Sequence, residues 1–222
     1  MLERTPEPEA MDTDEEVSTY DAMDHSKVNA TFAEDFLTFH GPCRGGEILD
    51  VGTGTALIPI EIARRDARAR IVGVDLATRM IARARINIES AGLSDRIRCE
   101  VRDAKAFDLP SERYEAVISN SIVHHLSDPR AALAEMARMV APGGTLFVRD
   151  LVRPDSEDQI RHLVDTYTIN EPEFARALFH ASLHAAFTIA EIDATRRELG
   201  LTGGVVAMSS DRHWTWSWRR DS

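Results

Sequence analysis

The sequence predicts a single doubly wound α/β domain built around a mostly parallel sheet. Three observations carry this prediction. Short apolar segments alternate with amphipathic helical segments between residues 47 and 150, the first apolar segment ends in a glycine-rich loop, and the second ends in an acidic residue. Short apolar strands that alternate with helices are typical of a parallel sheet covered on both faces. The 222 residues are about the length of one such domain.

The N-terminal elements follow from the spacing of apolar residues. Residues 1–16 hold seven acids and one arginine and are predicted to form a disordered acidic tail. Apolar and aromatic residues then recur every three to five positions, which predicts a helical cap of one or two short helices over residues 17–46. The main domain is predicted to cover residues 47–222.

Within the main domain, each apolar run is bounded by a turn or cap signal. The helix after the second strand has Met80, Ile81, Ala84 and Ile88 on one face, and Gly92 is a natural stop. A helical insert at about 155–187 interrupts the alternation, and the last two runs form a hairpin that gives the sheet an antiparallel edge. The predicted strands are 47–51, 69–74, 96–101, 114–119, 145–150, 205–208 and 213–218, and the predicted helices are 57–65, 77–91, 129–140, 155–184 and 189–199.

Composition narrows the class of partner. The formal net charge of -11 argues against nucleic acid, because proteins that bind phosphate backbones present basic surfaces. No run approaches the roughly 20 apolar residues that a membrane span needs. The acidic N-terminus is the reverse of a secretory or mitochondrial signal, so we expect a cytoplasmic protein that acts on a small molecule. Cys43 and Cys99 are predicted to be buried free thiols.

The strongest chemical signal lies at the ends of the first two strands. Gly52 and Gly54 allow a tight turn that brings backbone N–H groups close to a ligand. Asp75 ends the second strand, 21 residues after Gly54, where a carboxylate can accept hydrogen bonds from ribose hydroxyls. Dinucleotides and S-adenosylmethionine share this geometry. Leu57 stands where the dinucleotide fingerprint has its third glycine, which favours S-adenosylmethionine.

Five segments in order resemble the motifs of class I S-adenosylmethionine-dependent methyltransferases. The similarity covers roughly residues 47–150 and is closest to the small-molecule group that includes the ubiquinone/menaquinone-biosynthesis C-methyltransferases. One departure is Ala56, where many members have a third glycine. The segments are Ile48–Thr55, Val72–Ala77 with Met80, Arg102–Ala104 with Phe107, Tyr114–Asn120 with His124, His125 and Leu126, and Leu133–Val148 with Pro142, Gly143 and Gly144.

The resemblance implies a seven-stranded Rossmann-like fold, S-adenosylmethionine as the cofactor, and methyl transfer to a small molecule with release of S-adenosylhomocysteine. It also implies that eleven positions serve the cofactor. Gly52, Thr53 and Gly54 back its methionine part and Asp50 supports their loop, Asp75 holds the ribose, Leu76, Met80, Asp103 and Ala104 surround the adenine, and Asn120 and His125 lie near its amino end and the methyl group.

The sequence also gives candidates for catalysis and for contact with the acceptor. Asn120, His124 and His125 are the catalytic candidates, because a neutral imidazole near the cleft can act as a general base. The alternative for each histidine is packing against the cofactor or capping the next helix. The acceptor pocket is predicted to be roofed by the helical cap and the insert, with Tyr20, His25, Tyr167, Phe179, His180 and His184 as its contacts.

Two further questions concern metal and competing functions. His180 and His184 are four residues apart, a spacing that can bind metal, but no acidic or thiol partner is evident in the sequence, so no metal site is predicted. An NAD(P)-linked oxidoreductase is disfavoured by Leu57 and by the lack of a recognisable hydride-transfer set. A non-catalytic cofactor binder is disfavoured because every cofactor position holds a suitable residue. Families that methylate amino groups of bases or glutamine usually have two prolines and an aromatic after the residue equivalent to Asn120, and their absence argues against those substrates.

Overall fold

A computed structural model of the chain describes residues 2–9, 12–23 and 25–222. The strands are β1 (Glu47–Val51), β2 (Arg70–Asp75), β3 (Ile97–Val101), β4 (Tyr114–Asn120), β5 (Val140–Leu151), β6 (Val205–Met208) and β7 (His213–Arg219). The helices are α1 (Asp14–Ala22), α2 (Ser26–His40), α3 (Leu57–Arg65), α4 (Thr78–Ser90), α5 (Arg130–Met139), α6 (Glu157–Tyr167), α7 (Glu173–Ala185) and α8 (Ile189–Glu198), with a short 3₁₀ helix at Val123–His125.

The seven strands form one sheet in the order β3-β2-β1-β4-β5-β7-β6. The strands β1 to β5 pair in parallel, and β7 runs antiparallel to both β5 and β6. The predicted mostly parallel, seven-stranded sheet with an antiparallel edge is therefore confirmed. The chain order reverses between β1 and β4, which is the switch point where open α/β sheets bind ligands.

Alternate residues of the central strands pack in two separate hydrophobic cores, one on each face of the sheet. Leu49 and Val117 pack in the core that α5 and α8 cover. Their neighbours Ile48 and Ile118 pack in the core that α2, α3 and α4 cover. All four side chains are fully buried, and burial of a large apolar side chain contributes about 1.5–3 kcal/mol. Because side chains alternate across a strand, a continuous apolar run is what a sheet covered on both faces requires.

The helical cap packs on the second of these faces. Phe32 and Phe36 lie one turn apart on α2 and are fully buried, and the Phe32 ring meets the Phe147 ring edge-on at 5.3 Å. Thr13 and Glu16 form a capping box that starts α1. The cap therefore has two helices, α1 and α2, as the apolar spacing allowed.

The insert between β5 and α8 consists of two helices and not one. Helix α6 ends at Tyr167, and α7 starts after Pro172, whose ring fixes the backbone at the beginning of a new helix. Leu151, Ile160 and Leu183 bury the contact between the insert and β5. No described helix combines the length and apolar character that crossing a membrane requires.

Two local expectations differ from the structure. Gly143, predicted to lie in a turn, belongs to an irregular start of β5, where the register with β4 shifts and the Gly143 N–H donates to the Arg220 carbonyl at 3.1 Å.

The predicted domain boundaries stay a prediction, but residues 2–9 have defined contacts where a disordered tail was expected. Arg4 donates to the carbonyls of Ala185 at 2.6 Å and Leu126 at 2.7 Å, which holds this segment against the insert and the end of the 3₁₀ helix.

Candidate functional site

The loop after β1 is shaped by residues in the left-handed region. Gly52, Gly54 and Ala56 have φ values of 75°, 53° and 64°. A Cβ at Gly52 would stand 2.0 Å from Ile122 Cγ2, so this position excludes every side chain. The N–H groups of Gly52 and Thr53 both donate to the Val74 carbonyl, at 2.8 and 3.0 Å. The loop is thereby bent over the end of β2.

Asp75 locks the same loop from the second strand. Its Oδ2 accepts from the Gly54 N–H at 2.9 Å and its Oδ1 accepts from the Ala77 N–H at 2.9 Å. Burial raises the pKa of Asp75, and the hydrogen bonds from Ala77 and Gly54 oppose that rise. Each carboxylate oxygen has a further lone pair, so Asp75 can accept two more hydrogen bonds with its orientation already fixed.

Asp50 and Thr53 support the loop from behind. Asp50 is 2% exposed, and burial, with a smaller contribution from the charge of Asp75, raises its pKa to about 7. The Thr53 side chain lies over Gly73, where a Cβ would stand 2.6 Å from Thr53 Oγ1. Neither residue is part of the cleft wall among the residues that the structure describes. The supporting role predicted for Asp50 stays a prediction, and the Thr53 side chain packs between strands.

A cleft opens at the carboxyl ends of β1, β2 and β4. Its wall combines the glycine loop, acidic groups and apolar side chains, including Leu76, which is 42% exposed. An apolar side chain left open beside converging polar groups is typical of a small-molecule site. The predicted site residues that line it are Gly52, Gly54, Asp75, Leu76, Met80, Asp103, Ala104, Asn120, His125 and Tyr20.

The end of β4 supplies the wall opposite the glycine loop. Asn120 lines the cleft, and its Oδ1 is buried without a hydrogen-bond partner in the described part of the chain. The next residue, Ser121, has a φ of 59°, and its N–H donates to the Arg149 carbonyl at 2.9 Å. An unpaired buried acceptor has an uncompensated desolvation cost, which a bound donor would remove.

Tyr20 closes the cleft from α1. Burial, then the negative charges of Asp75 and Asp50, raise the pKa of Tyr20 to about 12, so its hydroxyl keeps its proton. Glu9, Asp103 and Arg102 also line the cleft, and Lys105 pairs with both Glu9 and Asp103. The wall therefore carries charges of both signs.

His124 lies behind the cleft in a chain of buried charges. Its Nδ1 is 2.5 Å from Asp150 Oδ1, and its Nε2 is 3.3 Å from Glu7 Oε1. The same Glu7 oxygen is 3.2 Å from Nδ1 of His125, which does line the cleft. Ser182 Oγ also donates to Glu7 at 3.1 Å. One carboxylate of the N-terminal segment thus joins both histidines and α7.

These contacts give the two histidines different pKa values. Burial alone would lower the pKa of His124, but Asp150 and then Glu7 outweigh it and raise that pKa. Burial, and then the charge of His124, lower the pKa of His125 to about 4. His125 is therefore neutral at pH 7 and can accept a proton at the cleft. Of the two histidines predicted to be catalytic, the structure places His125 at the cleft and His124 behind it.

Five of the six predicted acceptor contacts lie elsewhere. The His25 ring packs at a tilt against the Tyr20 ring, with centroids 4.5 Å apart, and Phe179 packs on the core of the insert. The Tyr167 hydroxyl donates to Asp211, and the Arg212 guanidinium covers its ring. These residues do not line the cleft described above, and their contact with an acceptor stays a prediction.

His180 and His184 also lie outside the wall of the described cleft. They lie on the insert beside Glu157, whose Oε1 is 3.2 Å from His184 Nε2. The acidic partner that was not evident in the sequence is therefore present in the fold, because Glu157 starts α6 and comes to α7 only when the two helices pack.

Several site residues carry no local sequence signal. Arg4, Glu7 and Glu9 belong to a segment expected to be disordered, and only folding brings them to the cleft and its rim. Ile122 is one of three apolar residues after Asn120, and only the close approach to Gly52 singles it out.

Comparison with known proteins identifies the domain. Residues 48–144 match the family described as a methyltransferase domain. This match covers less than half of the chain. The resemblance to methyltransferases that the sequence indicated is confirmed over this segment.

Relatives and solved structures agree with this domain. An uncharacterized methyltransferase of Mycobacterium tuberculosis is 34% identical over 116 residues, which are 52% of this chain and 56% of that protein. A ubiquinone/menaquinone biosynthesis C-methyltransferase of Geobacter sulfurreducens is 32% identical over 113 residues, 50% of this chain and 44% of its own. The chain thus spans about half the length of the curated relatives it matches. The structure of a SAM dependent methyltransferase from Aquifex aeolicus has the same fold, with a TM-score of 0.70 at 17% identity over 92% of this chain and 97% of that chain.

The cleft fits S-adenosylmethionine, the cofactor that the resemblance implies. Asn120 Oδ1 is an acceptor without a partner among the described residues, and the absence of a Cβ at Gly52 leaves the loop backbone accessible. The exposed Leu76 suits a planar base.

Proposed function

We propose that this protein transfers a methyl group from S-adenosylmethionine to a small-molecule acceptor and releases S-adenosylhomocysteine. The observation that carries the proposal is that Asn120, whose Oδ1 is buried and has no hydrogen-bond partner among the described residues, lines the same cleft as the locked carboxylate of Asp75. These two acceptors sit at the ends of β4 and β2, on either side of the glycine loop. That spread of acceptors suits a ligand with hydroxyls at one end and an amino group at the other.

We assign the cofactor contacts by the chemistry of each wall. Asp75 accepts from the ribose hydroxyls with the lone pairs that its backbone partners leave available. Leu76 and Met80 form the apolar face for the adenine ring, next to Asp103 and Ala104. Asp103 Oδ1 already accepts from the Lys105 N–H at 2.8 Å, which leaves Oδ2 for the adenine amino group.

Methyl transfer from this donor requires the protein to position the acceptor more than to activate the methyl group. When bound, S-adenosylmethionine supplies a methyl group that its sulfonium has already activated. The residues of the cleft hold the acceptor in line with that methyl and exclude water. His125, neutral at pH 7 and placed on the cleft wall, accepts the proton of an acceptor hydroxyl, or of another acidic group, as attack proceeds.

For the acceptor, we propose a chemical class and not a particular molecule. The part of the rim formed by Ser121, Ile122 and Leu126 is mixed polar and apolar, which suits a small, partly apolar molecule. The likeness to a ubiquinone/menaquinone biosynthesis enzyme supports this class. The absence of a nucleic-acid partner and the cytoplasmic location stay predictions from composition.

Calorimetry with purified protein tests the cofactor half of the proposal. We expect binding of S-adenosylmethionine and S-adenosylhomocysteine, and none of NADH. Asp75→Ala removes two hydrogen bonds to a charged acceptor, each worth about 1.5–3 kcal/mol, so affinity should fall roughly 100-fold or more. Asn120→Ala should weaken binding less, because it removes one neutral acceptor, and the exposed Asp158→Ala serves as the control. Binding of NADH alone, or unchanged affinity in Asp75→Ala, would overturn the proposal.

Release of S-adenosylhomocysteine across a panel of small acceptors tests the second half. A positive acceptor should show a rate that falls in His125→Gln while cofactor affinity changes little. A rate that is unchanged in this variant would remove His125 from the role of base.

A further inference from the structure

Three side chains that the methyl-transfer site does not use converge between the helices of the insert. His180 and His184 lie one turn apart on the same face of α7, with ring centroids 4.9 Å apart. Glu157 reaches both from the first turn of α6. Its Oε1 is 3.2 Å from His184 Nε2, and its Oε2 is 3.9 Å from His180 Nε2. A potential ligand atom from each of the three residues lies within 4.8 Å of the others.

These spacings are close to those of ligands around a metal ion. Zinc binds histidine nitrogen and carboxylate oxygen at roughly 2.0–2.2 Å, so donors in a tetrahedral shell stand roughly 3.3–3.5 Å apart. The distance from Glu157 Oε1 to His184 Nε2, 3.2 Å, is about 0.1 Å below this range, and the distance from Glu157 Oε2 to His180 Nε2, 3.9 Å, is about 0.4 Å above it. His180 is 44% exposed on its side chain, so a small rotation can close the gap.

The local structure presents these groups to an ion. Ser156 caps α6 by accepting from the Gln159 N–H, which fixes Glu157 in the first turn. Among the ion pairs of the described residues, those of Glu157 go to the two histidines. A surface carboxylate facing two imidazoles, with no arginine or lysine paired to it in this part of the chain, is a ligand set for a cation.

We propose that Glu157, His180 and His184 bind a divalent transition-metal ion of the zinc class. Two imidazole nitrogens and one carboxylate favour zinc, cobalt, nickel or copper over magnesium and calcium, which prefer oxygen ligands. Three protein ligands leave a fourth tetrahedral position for water.

The site differs from two other clusters of histidine and acidic residues in the described chain. His40, Cys43 and Glu115 are buried, and Glu115 already accepts from the N–H groups of Arg44 and Gly46. In the cluster of Glu7, His124 and His125, Glu7 already receives a bond from Ser182. Of these three clusters, the one on the insert has the most exposed ligands, with side-chain exposures of 48% for Glu157 and 44% for His180.

Metal binding here would join α6 to α7 at the point where the N-terminal segment rests. The Thr5 N–H donates to the His184 carbonyl at 3.1 Å, and Arg4 binds the next carbonyl, that of Ala185. An ion on His184 therefore stiffens the end of α7 that holds residues 2–9. The role follows from position: the metal is a clamp on the insert and takes no part in methyl transfer.

The test uses full-length protein, freed of any histidine tag and treated with a chelator. Zinc is titrated by calorimetry, and cobalt is titrated with its visible absorbance as a probe of coordination. We expect one zinc ion lost in the double variant His180→Ala/His184→Ala, and an affinity at least roughly tenfold weaker in Glu157→Gln, since even an outer-shell partner contributes that much. The melting temperature of the native chain should rise by roughly 5 °C or more at zinc about 100-fold above Kd.

Matched variants separate this site from adventitious binding. His162→Ala removes an exposed histidine of α6 outside the cluster and should leave zinc binding unchanged. Zinc binding that survives the double variant, or that is lost instead in His124→Ala, would overturn the proposal. So would the absence of zinc binding by the native chain. Binding of S-adenosylmethionine, measured without metal, is independent of each outcome.

Discussion

The contact between Gly52 and Ile122 gives the sharpest quantitative prediction. Alanine at Gly52 must adopt a φ of 75°, which costs a residue with a Cβ about 1–2 kcal/mol. Its Cβ would also stand 2.0 Å from Ile122 Cγ2 and 3.0 Å from Ile122 Cβ, where carbon atoms normally approach to roughly 3.5–4.0 Å. Because the clash involves Cβ, rotation of Ile122 alone does not remove it. Forcing such an overpacked contact costs about 1–3 kcal/mol more.

Gly52→Ala should therefore lower the free energy of unfolding by about 2–5 kcal/mol. A control isolates the steric part. Gly92 has a similar φ of 69°, and no atom lies within 4 Å of the position that a Cβ would take there, so Gly92→Ala should cost only the strain of about 1–2 kcal/mol. In a double-mutant cycle, Ile122→Ala removes Cγ2, the atom at 2.0 Å, but keeps Cβ at 3.0 Å, so it should recover most of the clash energy at Gly52 and none of the strain.

Urea unfolding of Gly52→Ala, Gly92→Ala, Ile122→Ala and the double variant Gly52→Ala/Ile122→Ala measures the strain and clash energies. Calorimetry with S-adenosylmethionine measures the effect of each variant on cofactor binding. The Gly52 N–H donates to the Val74 carbonyl, so displacement of the loop should weaken cofactor binding as well as the fold. If Gly52→Ala costs no more than Gly92→Ala, or shows no coupling to Ile122→Ala, the steric argument is refuted.

Three further predictions concern titratable groups. The lowered pKa of His125, about 4, means that the unfolded chain binds more protons between pH 4 and 6.5, so stability falls on acidification through this window by up to about 3 kcal/mol, and His125→Gln should reduce the fall in urea titrations. Glu7→Gln should lower the pKa of His124 and, as the charge of His124 weakens, raise that of His125 in imidazole NMR titrations; unchanged values would break the proposed chain. Burial raises the pKa of Cys43 and Cys99 to about 12, so a thiol reagent should label them only after unfolding, and labelling of the native chain at the rate of a free thiol would contradict this.

The sheet was predictable because its signals are local. The first two strands are short apolar runs that end before Gly52 and at Asp75, and each predicted strand is present within a few residues of its position. Gly143 is the exception, since a turn residue and an irregular strand start look alike in sequence. Ala56 was identified as a departure from the family pattern, and its φ of 64° gives the reason that a glycine is common there.

The wall of the cleft was also predictable, because parallel strands bring their carboxyl ends to one edge. The positions of the residues proposed to contact the acceptor were not predictable in this way. His180 and Tyr167 sit on amphipathic helices whose rotation about the axis decides which face meets the cleft, and sequence spacing does not fix that rotation. Glu157 and Glu7 are likewise brought to their histidines by packing between elements that are distant in sequence.

The acidic N-terminal segment shows how composition alone can mislead. High charge and low apolarity favour disorder when a segment has no partners, because nothing offsets the entropy of ordering it. Here the partners are supplied by the domain: Arg4 meets backbone carbonyls, Glu7 meets two histidines, and Glu9 meets Lys105. Charge-assisted bonds to partly buried groups are worth more than exposed pairs. A segment that is polar in sequence can therefore be held in place by the domain and contribute Glu9 to the wall of the cleft.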